Sequence, residues 1–153
     1  MDEIKQKMPV GMILILILIG WGAVSLLFGL RAPISQLGPL LLTGAGAIIV
    51  NLIIFAILGT IFFGIIKRYI WARKLTIGWY VVSMVLLLIN LLSFMANNTM
   101  YNDYYNKMLT PEMATLMTSS AITMSLVMAL AFGWIIGIII IVYMLKKKEF
   151  FTN

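Results

Sequence analysis

Two asparagines, Asn51 and Asn90, and a file of methionines, Met113, Met117, Met124 and Met128, stand out in or beside the apolar stretches of this sequence as candidate polar contacts and soft metal ligands. Met-x-x-x-Met sets two soft thioethers on one helix face, a pair able to hold Cu(I). No histidine accompanies them, and adaptable apolar packing is the expected role. An asparagine in a membrane helix can bridge to a neighbouring helix or line a polar path, each interhelical bond being worth roughly 0.6–2 kcal/mol. Asn51 and Asn90 fall at similar depth on adjacent helices. They are expected to be a buried polar pair facing the bundle interior, bonded to each other or to a neighbouring backbone.

Most other chemistry is excluded by composition. The 153 residues include no cysteine and no histidine. Thiol catalysis, disulfide exchange and Cys- or His-ligated metal centres are therefore unavailable. The eleven Lys and Arg and the five Asp and Glu all lie outside four long apolar stretches. Proton relays and ion-coupled transport need an ionisable group at depth, and none is supplied. Ser, Thr and Tyr are present at depth, but without a base to activate them. Asp103 and Glu112 are isolated carboxylates in a loop. The expectation is a non-enzyme with no catalytic residues, no metal and no cofactor.

The elements that would position these residues are membrane helices. The chain is 63% hydrophobic, with a mean hydropathy of +1.08, far outside the soluble range. A helix needs about 20 apolar residues to cross the hydrocarbon core. Four segments qualify, at about 9–30, 39–66, 75–96 and 119–145, leaving an outer loop at 97–118 and no room for a soluble domain. The expected fold class is an all-α four-helix bundle forming a single membrane domain over residues 1–153. The first helix is read as a retained span rather than a cleaved signal, because its apolar run exceeds a typical signal core.

Charge sets the expected topology. Nine of the eleven cations fall on one side: Lys5 and Lys7, then Lys67, Arg68, Arg73 and Lys74, then Lys146, Lys147 and Lys148. Only Arg31 and Lys107 fall on the other. By the positive-inside rule both termini are cytoplasmic, and the protein is a multi-pass protein of the cell membrane. The cations then form a cytoplasmic basic collar against the lipid bilayer rather than a nucleic-acid site. Residues 31–38 read as a tight outer turn, with Pro39 in the first turn of helix 2. Residues 67–74 read as the inner turn. In the long loop, Thr110-Pro111-Glu112 has the form of a helix start, giving a small, partly helical outer cap. Asn97-Asn98-Thr99 fits a glycosylation acceptor.

The sharpest pattern is on helix 4. Ala121, Ser125, Ala129, Gly133 and Gly137 recur every four residues and line one seam. In lipid, close backbone approach across small residues drives helix association where hydrophobic burial does not. Helix 1 offers a partial match in Gly22, Ser25 and Gly29, and helix 2 in Ala56, Thr60 and Gly64. Helix 3 is short of small residues and is expected to face lipid. An Ile-Gly-Trp-x-x-Val-Ser sequence occurs at 19–25 and again at 77–83, but its depth differs by roughly 12 Å between the two helices. It reads as chance rather than duplication.

Four-span families with marked residues are not matched: small multidrug-resistance transporters carry a carboxylate in the first helix, and quinone-linked disulfide oxidoreductases and tetraspanins depend on cysteines. The sequence therefore points to a non-catalytic accessory or assembly subunit that binds another membrane protein, or copies of itself, through the helix 4 seam or the outer cap. The alternative is a homo-oligomeric channel or carrier for a neutral or lipid-like solute, lined by Asn51, Asn90, Thr123 and Ser125.

Overall fold

A computed structural model describes residues 8–31, 34–97 and 119–152 of the chain. It contains four helices long and apolar enough to cross a membrane: α1 (Val10–Gly29), α2 (Ala45–Ile66), α3 (Ile70–Ala96) and α4 (Ser119–Lys146). Between α1 and α2 lies a short antiparallel hairpin, β1 (Ile34–Leu37) and β2 (Leu40–Thr43). A 3₁₀ turn, Lys148–Phe150, follows α4. The expected outer cap and its helix start at Thr110 lie outside the described residues, as do Lys5 and Lys7.

The fold is helical as expected apart from this hairpin, which corrects the start of helix 2. Hydropathy carried the second span back to Pro39, since Leu40, Leu41 and Leu42 are as apolar as the helix that follows. Two glycines decide otherwise. Leu37 pairs with Leu40, so Gly38 and Pro39 form a two-residue turn. Gly38 has φ +59°, and proline's φ is held negative. That sign order belongs to a type II′ hairpin turn, which takes glycine first. Gly44 then adopts φ 57°, ψ −131°, a conformation closed to other residues, and α2 starts at the next position.

The α2–α3 connection is tighter than the expected 67–74 turn. α2 ends in a Schellman cap: the Tyr69 N–H donates to the Gly64 carbonyl (2.9 Å) and the Arg68 N–H to the Ile65 carbonyl (3.0 Å). Arg68 occupies the left-handed position, φ 60°, usually taken by glycine, at a cost of about 1–2 kcal/mol. α3 begins immediately afterwards, so Arg73 and Lys74 stand on its first turns rather than in a loop.

Helices pack by large side chains set against glycines. Gly20 and Gly22 of α1 face Phe62 and Leu58 of α2, a Cβ at either position lying 3.6–3.7 Å from those side chains. Gly64 of α2 faces Ala72 and Trp71 of α3 so closely that a Cβ would lie 2.6 Å from the Ala72 methyl. α3 and α4 form the most extensive helix pair. The main core lies at one end of the bundle, where Met12, Ile15, Ile61, Ile65, Ala72 and Met144 from all four helices are buried.

Candidate functional site: the α4 seam and the two ends of the bundle

The five seam residues do not share one environment. Gly133 and Gly137 lie against α3, where added Cβ atoms would come within 2.7 Å of Leu87 and 2.9 Å of the Met84 sulfur. Tyr80 continues the same contact, 3.9 Å from the Gly137 position. Tyr80, Met84 and Leu87 follow an i, i+4, i+7 pattern, so one stripe of α3 seats three large side chains along the glycine groove. Helix 3, expected to face lipid for want of small residues, is thus the partner of the seam. Small residues receive knobs; they need not meet other small residues. Trp134 adds a polar tie, its indole N–H donating to the Met84 carbonyl at 3.1 Å. Further along the seam, Ser125 and Ala129 are exposed. Ala121 lies in the first turn of α4, and its side chain is outside the described residues.

The asparagines occupy similar depth on different faces. Asn51 is buried, 6% exposed, with its amide nitrogen 3.9 Å from the Cβ direction of Gly29 at the α1–α2 contact. Asn90 serves the hairpin: its Oδ1 accepts from the Gly38 N–H at 2.6 Å, and its Nδ2 donates to the Gln36 carbonyl at 3.4 Å. The Gln36 side chain returns the contact, donating to the Asn90 carbonyl at 3.0 Å. The two asparagines are therefore not hydrogen-bonded to each other. A turn amide and a backbone carbonyl, delivered by an element that hydropathy did not reveal, take the place of a second side chain. Gly38 is held so tightly that a Cβ there would lie 2.9 Å from Ile89.

Hydroxyls at depth are satisfied within their own helices. Ser25, Thr60 and Thr76 donate to the carbonyls of Trp21, Ala56 and Ala72 at 2.7–2.8 Å. This back-bonding removes the need for water or a partner helix. The methionines divide. Met12 and Met144 are buried in the core, Met124 and Met128 are exposed on α4, and Met113 and Met117 lie outside the described residues. Among the described residues no group of three or more His, Cys, Asp or Glu comes together.

The basic residues of the turn and tail gather at the core end. Lys67, Lys74, Lys146, Lys147 and Lys148 are exposed there, while Arg68 and Arg73 are half-buried. This end is closed by the C-terminal segment. Phe150 and Phe151 are buried and pack edge to face at 5.2 Å between ring centroids. The Arg68 guanidinium sits 4.8 Å over the Phe150 ring, and the Thr152 N–H donates to the Arg68 carbonyl at 3.2 Å. Two aromatics after a charged run were the sequence signal for this return, since a chain leaving into water has no use for them. No protein-family model, no curated protein and no solved structure matches the chain.

Proposed function

We propose that this protein is a non-catalytic accessory or assembly subunit that docks another membrane protein along the upper half of α4, with its basic end in the cytoplasm. The observation that carries this reading is the division of the α4 seam. Its lower half is filled by Tyr80, Met84 and Leu87. Its upper half presents Ser125 and Ala129 on the surface, beside exposed Met124, Met128 and Phe132. A small-residue strip on a lipid-facing helix lets another backbone come close, and adjacent methionines adapt to the shape that arrives. The cation distribution supports the orientation.

Because Gly133 and Gly137 already pack within the chain, substituting them perturbs the fold itself. Ala129→Leu is the cleaner test. The variant should melt as the wild type does, within about 0.5 kcal/mol. It should lose a larger protein that co-purifies stoichiometrically after gentle extraction, read by native mass spectrometry. Retention of the partner by Ala129→Leu would sink the docking site. A ring of identical subunits would favour the channel reading instead. That reading requires Asn51, Asn90, Thr123 and Ser125 to line one path, whereas the Asn90 amide is engaged with the hairpin.

A further inference from the structure

At the basic end, a groove of about 310 Å³ is lined by Ile70 and Arg73 of α3 and by Lys148, Glu149 and Phe151 of the C-terminal segment. Neither stretch makes the groove alone. The return of the tail brings Lys148 to Arg73 across a gap of 75 positions in sequence. The Nε of Arg73 is buried and has no hydrogen-bond partner. A charged group in that condition loses hydration without compensation, and it calls for an acceptor. Glu149 lines the same groove yet forms no ion pair with Arg73. One carboxylate against two cations leaves a net positive site.

We infer that this groove holds the phosphodiester of an anionic lipid, with Arg73 and Lys148 as its cationic ligands. Three features select a lipid over a free anion. The groove walls include the apolar side chains of Ile70 and Phe151. It lies where α3 begins its apolar span, at the level of headgroups. Half-buried Ile77 and exposed Val81 follow Ile70 and Arg73 on the same face of α3, as apolar surface that acyl chains can cover. Arg73 suits the role because its planar fork binds two phosphate oxygens at once, whereas Lys148 acts as a point charge. The site does not depend on what docks on α4.

The test uses the full chain in nanodiscs of equimolar phosphatidylcholine and phosphatidylglycerol, with retained lipid read by native mass spectrometry. The wild type should keep phosphatidylglycerol in preference to phosphatidylcholine. A direct hydrogen bond between a cation and a phosphate oxygen is worth roughly tenfold or more, beyond the diffuse attraction every collar cation shares, so Arg73→Gln with Lys148→Gln should cut that preference by at least about tenfold. Lys146→Gln with Lys147→Gln removes the same charge beside the groove and should cost far less. Glu149→Gln should raise retention, and Arg73→Lys should keep part of it. Equal losses from the two double variants would mean a diffuse collar and overturn the site. Displacement by inorganic phosphate would overturn the lipid assignment. A fall in both retention and melting temperature in Glu149→Gln would show that Glu149 is Arg73's structural partner, which also overturns it.

Discussion

The two ends of this bundle are held by different physics. At the basic end all four helices and the C-terminal segment meet in one apolar cluster, with side chains such as Met12, Ile61, Ile65 and Met144 fully buried. Closure there is by packing: Gly64 against Ala72, Gly11 against the Tyr143 ring, Phe150 under Arg68. At the opposite end the buried cluster among the described residues is small, Phe94 with Leu41 and Leu126. There, among the described residues, the hairpin turn is tied to α3 by hydrogen bonds with Asn90. The outward faces of α1 and α4 there remain open, with Trp21 and Phe28 on one and Met124 and Phe132 on the other. One end makes the chain a single body, and the other offers surface. The proposed accessory role would use both, since a docking face is useful only on a body that keeps its shape without the partner.

The sharpest way to break this comparison is at Gly64. Gly64→Leu drives a side chain into the Ala72 methyl and the Trp71 ring, neither at the end of a flexible chain. The expected cost is about 3 kcal/mol, or failure to fold. A Cβ at Gly59 on the same helix meets nothing within 4 Å, so Gly59→Leu should be tolerated. Thermal unfolding in detergent separates the two, and similar melting temperatures would show that the basic end is not the tight one.

Phe150→Ala comes next. Removing a buried ring costs about 3 kcal/mol, and here it also takes away the surface under Arg68. The tail should then become a ready protease substrate near Lys148. An unchanged digestion pattern would mean that Phe150 does not hold it.

The smallest expected effect is at the far end. Asn90→Ala removes the acceptor from the buried Gly38 N–H, at a cost of roughly 1–2 kcal/mol. Hydrogen exchange should speed up across residues 34–43 and leave the Met12–Ile65–Met144 core protected. Loss of protection at both ends would merge the two regions into one cooperative unit.

What could be read from the residues alone was whatever depends on composition and local order. Apolar runs long enough to cross a bilayer mark the four helices, because the hydrocarbon core demands internally bonded backbone over a set length. The absence of His and Cys and the grouping of cations were equally plain. Local signals also existed for the hairpin, in Gly38-Pro39 and Gly44, but Leu40–Leu42 hid them, since hydropathy does not distinguish an apolar strand from an apolar helix.

Partner choice belonged to the tertiary structure. The α4 seam was visible as a four-residue repeat, yet nothing along the chain says that its glycines take Tyr80, Met84 and Leu87. Small residues create room without naming what fills it. The depth of Asn90 was legible while its partner was not, because that partner is a backbone amide whose position depends on a turn. The groove at Arg73 exists only when Phe150 and Phe151 bring Lys148 back to α3. Spacing along a helix determines which residues share a face. Which faces meet is decided by shape between segments distant in sequence, and in lipid, where burial favours no apolar face over another, close fit and hydrogen bonding make that decision.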